Sequence, residues 1–270
     1  MTKTVSVRAS LLLLVAAGAV VVLRDRLPDP GETLTVLGAV DGSWVGAAVI
    51  AMLGSQVAFA GQQRVLLAGH GVRVPGGRML AMTLSRSAMS MTLPAGSALS
   101  AAFAFRVYRR YGAETSVAVA VTAVSGVLSL VALGLLYLTG WLVSTPAAVW
   151  WAIPVTAVAA YLGRRFLVPL AAALINWSLD MFCLVAAAAA AGVTVGWWQL
   201  ALVYLAVQVV RQIPITPGGV GLIEASMLTG LVTAGLTEVT AAAVVLLYRL
   251  VSFWMILPMG LLSWLATRRE

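Results

Sequence analysis

The sequence predicts an all-α, polytopic integral membrane protein of about six transmembrane helices plus two re-entrant broken-helix hairpins, arranged as an inverted repeat. Three observations predict it. The 270 residues are 61% hydrophobic and only 10% charged, with mean hydropathy +1.01, whereas a soluble domain carries roughly 25% charged residues. Apolar runs long enough to cross a bilayer recur along the chain. Two further apolar stretches are interrupted by Pro and Gly motifs that no continuous helix accommodates. Together these exclude a soluble enzyme, a disulfide scaffold and a disordered chain. The chain reads as a single membrane domain, 1–270, with approximate half-repeats 1–142 and 143–270.

Ordinary spans are expected at about 9–23, 43–68, 115–140, 147–163, 167–191 and 239–266. The first run, Leu11 to Leu23, is followed by Arg24-Asp25-Arg26 instead of a small-residue cleavage site, so it reads as a retained helix, not a signal peptide. The stretch 79–105 carries Arg86 and Leu93-Pro94-Ala95-Gly96. The stretch 197–235 carries Arg211 and Pro214-Ile215-Thr216-Pro217-Gly218-Gly219-Val220-Gly221. Irregular backbone at membrane depth is tolerated only where it is buried in protein or lines a cavity. Each stretch therefore reads as a re-entrant hairpin, with hinges at Pro94 and Gly96 in the first and at Pro214, Pro217 and Gly221 in the second.

Charge orients this plan. With both termini inside and both hairpins returning to the side they left, Lys3, Arg8, Arg64, Arg73, Arg78, Arg106, Arg109, Arg110, Arg164, Arg165, Arg268 and Arg269 all face the cytoplasm. Were the first hairpin a through-span, the cluster Arg106, Arg109 and Arg110 would move outside, against the positive-inside rule. Three spans in each half is an odd number, so the second half is inverted. That is the plan of many secondary transporters, whose broken helices meet near the midplane to form the substrate site. The net charge of +8 thus reflects topology and calls for no nucleic-acid partner.

Few cofactor or hydrolytic chemistries are open. Cys183 is the only cysteine and His70 the only histidine, so no internal disulfide can form and the pair cannot make a zinc site. No phosphate-binding Gly-x-x-x-x-Gly-Lys-Ser/Thr motif occurs. No cofactor is called for.

Ionisable residues within apolar stretches cost about 2.5–3.5 kcal/mol each on insertion scales and mark function by default. The candidates are Arg86, Asp180, Arg211, Glu224 and Arg249. Arg211 and Arg249 suit phosphate, which guanidinium contacts bidentately. A helix opening at Pro217 would add free N–H groups for an anion. Gly218 and Gly219 would let a ligand approach the backbone, and Thr216 would cap that helix or bond the ligand. Glu224 is either an ion-pair partner of Arg211 or Arg249, or a proton site or contact for a cationic head group. Arg86 either joins the site or snorkels to the interface beside Arg78. Asp180 follows Asn176, Trp177 and Ser178 on a polar face and is expected to pair with an arginine. Tyr248 is either interfacial or part of the site. These residues define a substrate site for Arg86, Arg211, Thr216, Gly218, Gly219, Glu224, Tyr248 and Arg249, with Asp180 in charge pairing.

The run Pro214-Ile215-Thr216-Pro217-Gly218-Gly219-Val220-Gly221-Leu222-Ile223-Glu224, followed by Leu247-Tyr248-Arg249-Leu250 and Phe253-Trp254, resembles the lysylphosphatidylglycerol synthase transmembrane region, the flippase-like or YbhN-like family. Pro94 and Gly96 match the looser first-half pattern. The resemblance implies a lipid translocase in the bacterial inner membrane, not an enzyme. Its expected substrate is an anionic or aminoacylated phospholipid or a polyprenyl-phosphate-linked lipid. The sequence ends at Glu270 without an aminoacyl-transferase domain and so resembles the translocase part alone. Besides the bilayer and its lipid substrate, a separate synthase or glycosyltransferase is the protein partner such a chain would take. Two other readings stand beside this one: a non-transporting subunit for such an enzyme, and an intramembrane lipid-modifying enzyme using Asp180 and Glu224.

Overall fold

The computed structural model describes residues 29–93, 95–144, 163–211 and 219–268. Among them the chain forms nine helices: α1 (Pro30–Gly38), α2 (Gly42–Ala68), α3 (Gly76–Thr92), α4 (Gly96–Arg110), α5 (Thr115–Ser144), α6 (Gly163–Ala190), α7 (Trp197–Arg211), α8 (Leu222–Thr233) and α9. The last runs from Glu238 to Arg249, passes through a π-helical turn at Leu250–Trp254 and continues as Ile256–Arg268. Four stretches are long and apolar enough to cross a membrane: Gly42–Ala68, Thr115–Gly140, Phe166–Ala190 and Glu238–Thr267. They coincide with the spans expected at 43–68, 115–140, 167–191 and 239–266. The protein is a polytopic membrane protein. The span expected at 9–23 and all but the last residue of that at 147–163 lie outside the described residues, as do Pro94, Pro214, Thr216, Pro217 and Gly218.

The centre of the molecule is the antiparallel pair α2 and α6, in contact along their lengths. At one end the Asp41 N–H donates to the Ala190 carbonyl at 2.9 Å, satisfying an acceptor that the end of α6 leaves open. At mid-length Asn176 Nδ2 donates to Ser55 Oγ at 2.8 Å and to its carbonyl at 3.0 Å. Ala186, Ala187, Ala188 and Ala190 are buried, and such small side chains let helices approach closely in a bilayer. α2 starts cleanly: Asp41 accepts from the Ser43 amide at 2.8 Å and its hydroxyl at 2.7 Å. Those two bonds hold the Asp41 carboxyl below its ordinary range.

α3 and α4 form a pair of short helices folded back on each other. Leu93 is extended and Ala95 takes a left-handed φ of 55°, which breaks the helix. Gly96 then lies against the end of α3, where a Cβ would come within 2.5 Å of the Ser90 carbonyl oxygen. α7 and α8 form a second pair, with Gly230 pressed against Val203. The four legs have 17, 15, 15 and 12 residues, too few to cross roughly 30 Å of hydrocarbon at about 1.5 Å per residue. The far half of α9 packs on α3. There a Cβ on Gly260 would fall 2.5 Å from the Leu84 carbonyl oxygen and from Ala88 Cβ.

Two local features add to this plan. α8 opens at Leu222, after Gly219 and Gly221 with φ of 68° and 86°, a left-handed backbone that a helix does not contain; Pro217, where a helix was expected to open, lies outside the described residues. The link expected between the first two spans also holds a short helix, α1. Asp29 accepts from the Gly31 amide at 2.7 Å and Pro30 stands at the first helical position, both ordinary start signals.

Candidate functional site

α6 places Asp180 one turn after Asn176, 9% exposed. Its Oδ1 accepts from the Tyr248 hydroxyl at 2.9 Å and its Oδ2 from the Tyr204 hydroxyl at 2.8 Å. Arg211 Nη1 stands 3.6 Å from Oδ2. Tyr204 and Arg211 are seven residues apart on α7 and so share a face, which points at α6. Both tyrosines are fully buried. A carboxylate can be held in this setting because a positive charge and two hydroxyls replace its water.

The second cluster is built by the return of the second short pair. Glu224 is the third residue of α8. Its Oε2 accepts from the Gly221 N–H at 2.7 Å, closing the first turn. Its Oε1 lies 2.5 Å from Nε of Arg249, which is 4% exposed on α9. That nitrogen makes no aligned hydrogen bond, so the contact is an ion pair held by charge. The guanidinium lies over the Phe253 ring at 4.4 Å, inside the π-helical turn. A π-turn widens a helix locally and is frequent at functional sites. Here it follows Arg249 directly. Gly219 is needed on two counts: its left-handed φ, and Ile223, whose side chain fills the space an added Cβ would take. The two clusters adjoin through the sequence neighbours Tyr248 and Arg249, and Arg211 and Arg249 stand within electrostatic reach of each other.

Arg86, on α3, points into the protein and does not snorkel beside Arg78. Its Nη1 donates to Gln63 Oε1 at 2.5 Å and its Nε to Ser100 Oγ at 3.3 Å. The Phe59 ring lies 5.5 Å from the guanidinium carbon. The Tyr108 hydroxyl donates to the same Gln63 oxygen at 2.5 Å. Thus Asp180, Arg211 and Tyr248 meet in one cluster, Gly221, Glu224 and Arg249 in the next, and Arg86 occupies a separate cradle in the first short pair, whose return begins at Gly96. Among the described residues no group of three His, Cys, Asp or Glu side chains is placed to hold a metal.

Sequence reasoning missed a buried polar seam on α2. Ser55, Gln56, Gln62 and Gln63 are all buried. Gln56 accepts from Ser87 at 2.9 Å, Gln62 bonds the Ser125 carbonyl at 3.4 Å, and Gln63 holds Arg86. A signal was present: Ser55 and Gln62, and Gln56 and Gln63, are seven residues apart, which places them on one face of a helix. Tyr108 and Tyr204 carried no such mark.

Residues 158–260 match the family described as Lysylphosphatidylglycerol synthase TM region. That range includes Asp180, Arg211, Glu224, Tyr248 and Arg249, while Arg86 lies before it. The chain is also 31% identical over 84 residues to a UPF0104 membrane protein of Methanothermobacter thermautotrophicus. The aligned stretch is 31% of this chain and spans a quarter (25%) of the length of that relative.

Proposed function

We propose that this chain, whose residues 158–260 belong to the Lysylphosphatidylglycerol synthase TM region family, translocates an anionic lipid across the cytoplasmic membrane. The observation that carries this reading is the double cluster of Asp180–Arg211 and Glu224–Arg249, set among apolar helices where the second short pair returns, with Asp180 and Arg249 buried and their partners half-buried. Ionisable groups at such depth mark substrate or ion pathways. The substrate class is an anionic or aminoacylated phospholipid or a polyprenyl-phosphate-linked lipid. The head group enters laterally and meets guanidinium donors, the carboxylates balance charge as it passes, and the tails stay in the bilayer. In this reading the chain transports and does not catalyse.

The architecture supports it. The short pairs α3/α4 and α7/α8 are re-entrant hairpins, each entering and leaving on one side. The halves are related as an inverted repeat: α2, α3 and α5 open at Gly42, Gly76 and Thr115, and α6, α7 and α9 open at Gly163, Trp197 and Glu238, each roughly 120 residues later. Antiparallel α2 and α6 meet at Ser55 and Asn176, positions separated by that same displacement. Equivalent residues touch each other where a two-fold axis passes. Arg64, Arg73, Arg78, Arg106, Arg109 and Arg110 gather at the end of α2, the two ends of the first hairpin and the joint to α5. That basic end is the cytoplasmic one, with the termini on the same side.

The test is lipid translocation in proteoliposomes with Arg249→Ala and Glu224→Gln. Loss of a guanidinium–phosphate contact is expected to slow transport by about tenfold or more. Wild-type rates in both variants would overturn the site assignment.

A further inference from the structure

The three arginines nominated for the site differ in one respect. Arg211 faces Asp180 at 3.6 Å and Arg249 faces Glu224 at 2.5 Å, so each pair is neutral as a whole. Arg86 has neutral acceptors only, Gln63 and Ser100, and among the described residues no carboxylate pairs with it. A guanidinium keeps its charge in any protein environment. An amide dipole does not cancel it. Gln63 is moreover saturated as an acceptor, since Oε1 takes both Arg86 and Tyr108.

The cradle is built from buried parts. Gln63 and Tyr108 are fully buried and Ser100 nearly so, and Phe59 supports the guanidinium face. Arg86 itself is half-buried. Two of its five N–H groups are engaged, which leaves three to donate. One turn before Ser100, the first N–H groups of α4 have no side-chain cap.

We infer that Arg86, with Ser100 beside it, seats the phosphate of the transported lipid, and that this lipid carries one negative charge: a monoanionic phosphodiester, not a cationic aminoacyl ester. The inference deepens the translocase reading and rests on it. The cradle holds one guanidinium and, among the described residues, no carboxylate. A single anion brings that sum to zero, and in a low dielectric a loaded site without net charge is the one that changes face at least cost. A lysyl ester would raise the imbalance instead of cancelling it.

The experiment is binding, measured by native mass spectrometry on the full chain in detergent. The probes are phosphatidylglycerol, phosphatidylcholine, lysylphosphatidylglycerol and water-soluble glycerophosphoglycerol. Phosphatidylglycerol is expected to bind at least about tenfold tighter than the other two lipids. Arg86→Gln should abolish that preference and Arg86→Lys should keep most of it. Ser100→Ala, which leaves the charge in place, should weaken phosphatidylglycerol several-fold and decides the matter if Arg86→Gln does not fold. Unchanged affinity in Ser100→Ala and Arg86→Gln, or equal binding of the lysyl ester, overturns the inference. Soluble glycerophosphoglycerol competing as well as the lipid overturns the lipid source. Binding as stated without transport refutes the translocase reading alone, whereas transport without charge preference refutes this inference alone.

Discussion

Asp180 is held by two hydroxyls and a guanidinium, and the loss of one partner is felt by the others. Asp180→Ala strands Arg211 opposite two tyrosines. It is expected to lower the thermal midpoint in detergent more than the matched pair Asp180→Asn with Arg211→Gln, because an unpaired buried charge costs more than its removal. A double-mutant cycle should give a coupling of about 1–2 kcal/mol, since Arg211 is partly exposed and polar contacts in membrane proteins are modest. Tyr204→Phe and Tyr248→Phe should each cost about 1 kcal/mol. The ionisable members of the site were legible in the sequence because charge inside an apolar run is expensive wherever it stands. Their pairing was not. Whether Glu224 takes Arg211 or Arg249 depends on which helix faces the return of the second hairpin, and that is decided by packing. Gln63, Tyr108 and Tyr204 escaped notice because an uncharged polar group in such a run is affordable and sends a weak signal.

At the scale of elements, glycines set how closely helices approach. Gly260→Ala drives a methyl to 2.5 Å from the Leu84 carbonyl oxygen, a backbone atom that cannot turn aside. Overpacking of this kind costs about 1–3 kcal/mol, and α9 should separate from α3, read as a lower melting temperature. Gly230→Ala meets only a methyl of Val203 at 2.8 Å, whose rotation absorbs more of the strain, so its effect should be smaller. The start of α2 is sensitive to acid. The Asp41 carboxyl is held below its ordinary 3.8, so its contribution is present above that value and fades as pH falls through the lowered one. Asp41→Asn keeps an acceptor for the Ser43 amide and removes the titration; a melting series from about pH 5 to about pH 2 should show a shallower fall in the variant. The four described spans were readable from apolar length alone. α1 was passed over because its start signals, Asp29 and Pro30, sit in a stretch too short to compete with the spans around it. The helix start at Leu222 was not read because a Pro-Gly-Gly run announces a break without saying which glycine turns left-handed.

For the whole molecule, the antiparallel set of α2 and α6 places the α2–α3 joint and the α6–α7 joint at opposite ends. The only cysteine, Cys183, is buried. In a Cys183→Ser background, His70→Cys and Thr194→Cys should therefore react with an impermeant thiol reagent from opposite faces of oriented vesicles; labelling from one face would refute the inverted arrangement. The same pairing has an electrical result. Every helix behaves as if it carried about half a positive charge at its start and half a negative charge at its end. Side by side and reversed, α2 and α6 set one's start against the other's end, and the bond from the Asp41 N–H to the Ala190 carbonyl is that encounter at atomic scale. Their long-range dipoles cancel. A voltage across the bilayer then finds little net backbone dipole in this pair. Since Asp180 offsets Arg211 and Glu224 offsets Arg249, Arg86 is the one of the three site arginines whose charge such a voltage would meet uncompensated.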